Sequence, residues 1–305
     1  MGTRGQWEST TPTDWQLLTI NQLFTTRSIH KLLVQKRPYQ LQAACQSFEC
    51  MRSNTQQIIS LGALYDEAYA LLKIRRKSEY VYKNELVREI LDYHRTTMEP
   101  TQQYSVIPEF LSGLSKVDIA VFNGSSTAYE IKTGLDNLDR LASQITDYRK
   151  VFQRVHIITD QHHLEHIKAL VDPSIGLSVM RADGVLELQR PASDDFSHLE
   201  HSELFTVLWA KELVSMYSDI TGEELVCPNT HIALICRPLF NALTIEEASA
   251  VALGILRQRK SRQRFEAFVH NLPSSLTACA SALSLSNVKE HQLALVLAQP
   301  LDCAG

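Results

Sequence analysis

The dipeptide Asn123-Gly124 stands between two stretches of alternating side chains, Lys116 to Phe122 and Thr127 to Lys132. An Asn-Gly pair suits the tight turn of a β-hairpin, so this one feature commits the middle of the chain to two antiparallel neighbouring strands. Side chains alternate along an extended strand, which puts Ala128, Glu130 and Lys132 on one face and Tyr129 and Ile131 on the other. On the preceding strand Val117, Ile119 and Val121 take the apolar face and leave Asp118 on the polar one. Pairing through the turn then aims two carboxylates and one ammonium at the same space.

The flanking periodicities build a core around this hairpin. A helix is expected over Tyr82 to His94, a strand over Tyr104 to Leu111, a helix over Asn137 to Phe152 and a continuous apolar strand over Val155 to Thr159. A helix between Gln161 and Val171 and short strands at Leu177 to Met180 and Val185 to Leu188 complete it. The order α-β-β-β-α-β is that of an α/β fold. From Asp14 to about Lys77 the period is helical, with Leu17, Asn21 and Phe24, then Leu41, Cys45 and Phe48, then Ile58, Leu61, Leu64, Ala68 and Leu71 recurring at three and four. Pro38 separates two of these helices, and Arg75, Arg76 and Lys77 close the last. After the polar stretch Pro191 to Asp195 the chain turns helical again, with Leu204, Leu208 and Val214 and then the segment Leu243 to Gln263. The reading is three segments: helical over 1–78, α/β core over 79–190, helical over 191–305.

Thirty Lys and Arg against 34 Asp and Glu leave a net charge of −4, so no global field draws a polyanion to the chain. A nucleic acid would be met by a local patch, and the best one is Arg257, Arg259, Lys260, Arg262 and Arg264. A solvated cationic helix end is the equally weighted alternative. Met1 to Gln22 contains no apolar targeting core, and no window nears the roughly 20 apolar residues of a membrane span, so a cytoplasmic chain with no membrane partner is expected. Six cysteines without a C-x-x-C pair read as reduced, mostly buried thiols. His162, Glu165 and His166 have the H-x-x-E-H spacing of a zinc peptidase helix, but among eleven histidines such a match arises by accident, and no third ligand accompanies it.

Two carboxylates from adjacent strands are what a hard divalent cation asks for, which makes Asp118 and Glu130 candidate ligands for Mg²⁺, with Mn²⁺ as a substitute. Lys132 would orient or help deprotonate a metal-bound water. An E-x-K triplet alone favours an ordinary salt bridge on a strand by a wide margin, because it occurs often by chance.

The run Lys116-Val117-Asp118-Ile119-Ala120-Val121, a hairpin turn and then Tyr129-Glu130-Ile131-Lys132-Thr133 follow a Glu-bearing helix and precede a helix and a buried strand. This arrangement resembles the PD-(D/E)XK nuclease superfamily. Asp136, Asp139-Arg140-Leu141, Gln144, Tyr148 and Val155-His156-Ile157-Ile158 extend the likeness to an uncharacterised bacterial branch of it. The resemblance implies a restriction-endonuclease-like core, a mixed sheet flanked by helices, and Mg²⁺-dependent endonuclease chemistry on DNA phosphodiesters carried by Asp118, Glu130 and Lys132. It also implies a metal ligand from the Ile131 carbonyl and an acid from the first helix. Glu85 is favoured, with Glu89 and Glu109 left open. In the superfamily the helix after the hairpin borders the active site, which makes Arg140, Gln144 and Tyr148 candidate substrate contacts beside Arg257, Arg259 and Lys260. The bland alternative pairs Arg140 with Asp136 and leaves Gln144 solvated. Val117 stands where the superfamily's name has Pro. Many of these enzymes cut as dimers, so a homodimer is an option. The competing reading is a catalytically inactive nucleic-acid- or protein-binding module on the same fold.

Overall fold

A computed structural model describes residues 12–35, 39–51, 60–99 and 101–300. Residues 1–11, Pro38, Ile58 and Cys303, and the side chains of Phe48 and Cys50, lie outside what is described, and the expectations placed on them with it. Helices α1 (Asp14–Asn21), α2 (Thr26–Val34), α3 (Tyr39–Met51), α4 (Leu61–Arg75) and α5 (Glu79–Thr97) come first. Strands β1 (Ser105–Ser112), β2 (Ser115–Phe122) and β3 (Ser126–Lys132) follow, then α6 (Leu141–Arg149), β4 (Arg154–Thr159), α7 (Leu164–Leu170), β5 (Gly176–Met180) and β6 (Leu186–Arg190). Helices α8 (His201–Thr206), α9 (Ala210–Thr221), α10 (Asn229–Asn241), α11 (Ile245–Leu256), α12 (Arg262–His270), α13 (Thr277–Ala282) and α14 (Asn287–Ala298) close the chain. None of the helices described is long and apolar enough to cross a membrane.

The chain forms two compact units, and neither is a single stretch of sequence. One gathers the described residues up to Thr96 with 182–185 and those from Phe265 onward; the other comprises 97–181 and 186–264. α5 is grouped almost entirely with the helical unit.

In the helical unit the expected stripe is buried at Leu17, Phe24, Leu41, Leu61, Leu64, Ala68 and Leu71. Side-chain caps start its helices where the sequence offers hydroxyls: Thr13 accepts from the Gln16 N–H, Thr25 from Ser28 and Ser60 from Ala63. Phe24 packs edge-on against Tyr65 and Tyr69 and stacks on Tyr80 at 4.7 Å.

The second unit is an α/β layer structure, a six-stranded mixed sheet in the order β1-β2-β3-β4-β5-β6. β1, β2 and β3 are antiparallel neighbours, β3, β4 and β5 are parallel, and β6 returns antiparallel. The two parallel steps need crossovers, which α6 and α7 supply. The expected hairpin forms, but not with the expected turn. Gly124 is not among the residues with positive φ, and the three-residue loop is closed by Asn123 Oδ1 accepting from the Ser125 N–H at 3.0 Å. Gly113 provides the left-handed residue instead, at φ +59° in the tight turn between β1 and β2. The expected start of α6 at Asn137 moves to Leu141, because Asp136 Oδ2 accepts both the N–H and the hydroxyl of Thr133, each at 2.7 Å, and holds the preceding residues in a turn. Leu138, Leu141, Ile145 and Phe152 are buried as the stripe required. Phe110, Phe122 and Phe152 form an aromatic trio at the centre of this core, which runs on into α8 to α11 through Leu204, Phe205, Phe240 and Ala252.

Candidate functional site

On β3 the period of two turns Ala128, Glu130 and Lys132 to the side on which Leu141, Ile145 and Tyr148 of α6 pack. Apolar burial at Ala128 therefore carries the two charges under the helix. Glu130 is 2% exposed and Lys132 7%, and neither is isolated. Lys132 Nζ donates to Glu130 Oε1 at 2.7 Å and to Gln144 Oε1 at 2.9 Å. Gln144 Nε2 donates to the same Glu130 oxygen at 2.8 Å. The hydroxyl of Tyr148, whose side chain is fully buried, donates to Glu130 Oε2 at 2.6 Å and also lies 2.9 Å from the Lys116 carbonyl. Burial, the charge of Glu130 and the charge of Asp118 all push the Tyr148 hydroxyl far above its ordinary value, which keeps it a donor.

Asp118 accepts the backbone N–H of Ile131 on its Oδ2 at 2.8 Å. The β2–β3 ladder reaches Ile119↔Tyr129, and one step beyond it the Asp118 side chain takes an N–H of the neighbouring strand. Ile131 thus has its N–H on Asp118 and its residue in register with Ile158 of β4. Glu109 occupies β1 between the pairs Pro108↔Ile119 and Phe110↔Val117, directly across from Asp118. Carboxylate oxygens of Glu109 and Asp118 lie within 4.8 Å of each other. Glu109 has φ +55°, a strained value for a residue with a Cβ, and Lys116 Nζ sits 3.1 Å from its Oε2.

In the helical unit Glu85 is held by three partners: the Tyr69 hydroxyl at 2.6 Å, Lys73 at 3.1 Å and Arg88 at 3.1 Å. Glu89 shares its neighbourhood, since burial and the like charge of Glu85 push the Glu89 carboxyl upward. The row Arg140, Gln144, Tyr148 runs from solvent to core. Arg140 is exposed at the start of α6, whereas Gln144 and Tyr148 turn inward onto Glu130. Asp118 and Glu109 bring carboxylate oxygens within 4.8 Å of each other, and oxygen donors suit a hard divalent ion rather than zinc or copper; Glu130 is not part of that group. Glu130 Oε2 keeps a lone pair beyond the one Tyr148 uses.

The basic run does not act as one patch. Arg259 pairs with Glu212 through two bonds of 2.8 and 2.7 Å, lies over the Trp209 ring at 4.1 Å and near Phe110 at 5.9 Å, and donates to the Val207 carbonyl. Arg262 is buried and donates to the carbonyls of Glu99 and Gln102. Lys260 is half-buried, and that burial holds its amine down to about 8. Arg257 and Arg264 are exposed. The role of Arg259 was invisible in sequence because its partner Glu212 lies far away along the chain. Lys116 was legible, two residues before Asp118 on the same strand face.

His162, Glu165 and His166 do not gather into a group of ligating atoms. Asp160 Oδ1 accepts the N–H groups of His162 and His163, and Glu165 pairs with Lys168. Among the described cysteines Cys45, Cys227, Cys236 and Cys279 are free thiols, and the last two are buried.

A profile of the family described as Bacteriophage P4 protein cII matches residues 74–278. No curated protein matches the sequence. A solved structure of a protein of unknown function from Silicibacter pomeroyi is similar over 44% of this chain and 88% of its own, at 17% identity and a TM-score of 0.29.

Proposed function

This chain belongs to the bacteriophage P4 protein cII family, and from the side chains gathered under α6 we propose that it is a metal-dependent nuclease that hydrolyses DNA phosphodiester bonds on a restriction-endonuclease-like core. One observation carries the reading: Lys132 Nζ lies 2.7 Å from Glu130 Oε1, and Asp118 of the neighbouring strand accepts the N–H of Ile131, the residue between them. A salt bridge built only for stability does not need a further acid beside it, whereas hydrolysis of a phosphodiester needs acids and a proton carrier together.

Asp118 and Glu130 would hold Mg²⁺, or Mn²⁺ in its place, with the Ile131 carbonyl and one further acid. Glu109 suits that last role by its closeness to Asp118, and Glu85 remains the acid the superfamily pattern assigns. When bound, the ion polarises the phosphoryl oxygen and offsets its charge. Lys132 has one N–H beyond the two it gives to Glu130 and Gln144, and with it orients the attacking water. Gln144 and Tyr148 act as positioning residues that fix the Glu130 carboxylate from the helix side. Exposed Arg140 and Arg257 are the cations placed to meet phosphate. The enzyme would work in the cytoplasm, as a homodimer where two strands are cut.

The three donors on the 2% exposed Glu130 carboxylate favour a second reading, an inactive binding module in which the network is structural. Incubating the full chain with DNA and Mg²⁺ or Mn²⁺ separates the two. Nicking that Lys132→Ala abolishes, with the fold intact by circular dichroism, supports the nuclease. DNA binding without cleavage under either metal supports the module, and equal cleavage by wild type and variant overturns the site.

A further inference from the structure

Trp209 is 52% exposed, although it stands at the N-terminal cap of α9. Its backbone N–H donates to Glu212 Oε2 at 2.7 Å, which ties the residue to the first turn of α9. The guanidinium of Arg259 lies 4.1 Å from the ring centroid and is itself clamped by the two bonds to Glu212. The ring is thus backed by a cation that cannot swing away. The Lys211 amine lies 5.1 Å from the same centroid on an exposed side chain, so it is free to leave the ring for another anion. Arg259 also reaches the Phe110 ring of β1 at 5.9 Å, and Phe110 adjoins Glu109 in the chain. All of these residues belong to the unit that contains Asp118, Glu130 and Lys132.

About half of the Trp209 surface is open to solvent and so is available to a ligand. The chemistry around it selects that ligand. A rigid indole with a clamped guanidinium against it and an exposed lysine amine over the ring suits a planar, electron-rich ring that carries a phosphate. We infer that Trp209 is a stacking platform for an unpaired base of single-stranded DNA, with Lys211 turning to the adjoining phosphate. The inference rests on the nuclease reading for its place in a reaction and narrows the substrate to single-stranded or frayed DNA. A base inside an intact duplex has its faces covered by its neighbours and is not available to the indole.

The test is binding of the full chain, without divalent metal, to a labelled oligo(dT) and to a blunt duplex of equal length, read by fluorescence anisotropy. The expected result is preference for the single strand, a loss of about ten-fold in Trp209→Ala and near wild-type binding in Trp209→Phe. Lys211→Ala should lower the salt slope of binding by about one phosphate. Because Trp209→Ala could disturb Arg259, a second measurement uses the native ring. In a Trp7→Phe, Trp15→Phe background, oligo(dT) should quench the remaining tryptophan fluorescence. Unchanged affinity in Trp209→Ala, absence of quenching, or preference for the blunt duplex overturns the inference. Binding is measured without metal, so a chain that binds through Trp209 yet never cleaves refutes the nuclease reading alone, and one that cleaves with Trp209 irrelevant refutes the platform alone.

Discussion

Replacing Tyr148 by Phe removes one oxygen and keeps the ring that fills the core under the sheet. The lost hydroxyl is the donor to Glu130 Oε2 at 2.6 Å, and the carboxylate it leaves is 2% exposed. A hydrogen bond to a charged group contributes about 1.5–3 kcal/mol, and a buried acceptor left unmet loses that without compensation from water. The alternative acceptor, the Lys116 carbonyl at 2.9 Å, loses a partner as well. The expected cost is therefore about 2–3 kcal/mol, at the upper part of the range for a single bond. Urea unfolding at pH 7 measures it as a lowered midpoint with an unchanged slope. The decisive comparison is the cycle with Glu130→Ala. Once the carboxylate is gone, removing the hydroxyl should cost at least about 1 kcal/mol less than it does in wild type. If Tyr148→Phe stays within about 0.5 kcal/mol of wild type and adds independently to Glu130→Ala, Tyr148 does not hold Glu130 and its role as a positioning residue fails.

Arg259→Ala leaves Glu212 charged with only 10% of its side chain exposed, so a loss of about 3–5 kcal/mol is expected by thermal or urea unfolding; a loss below about 1 kcal/mol would mean the pair behaves as a surface bridge. His156 is buried, its Nε2 lies 2.9 Å from Ser178 Oγ, and burial brings its imidazole down to about 4 from an ordinary 6.5. The unfolded chain therefore binds more protons between those values, so stability is complete above pH 6.5 and falls by up to about 3 kcal/mol as pH drops towards 4. His156→Leu should flatten that acid limb, and an unaltered slope in the variant would place the titration elsewhere.

Much of the architecture was legible locally. All six strands were placed within a residue or two, β4 as the continuous apolar run that burial on both faces requires, and the Asn123-Gly124 signal correctly paired β2 with β3. The turn itself was misread, since Asn123 closes it with its side chain and Gly124 needs no left-handed backbone. The start of α6 was missed because Asp136 diverts the Thr133 backbone into a turn that hydrophobic periodicity does not register.

The sequence by itself determined the α/β alternation, the hairpin and the sharing of one strand face by Glu130 and Lys132, since these follow from the geometry of an extended chain. Only the tertiary structure decided what those residues touch. Gln144 and Tyr148 looked like substrate contacts on a helix row, yet the packing of Leu141 and Ile145 turns the row inward, onto a carboxylate that is stable in the core only when its oxygens are met. The basic run likewise looked like one patch, and folding divided it, because Glu212 and the carbonyls of Glu99 and Gln102 take up Arg259 and Arg262. Local spacing sets which side chains share a face. Burial brings in partners from distant parts of the chain, and those partners decide which charges remain for a ligand.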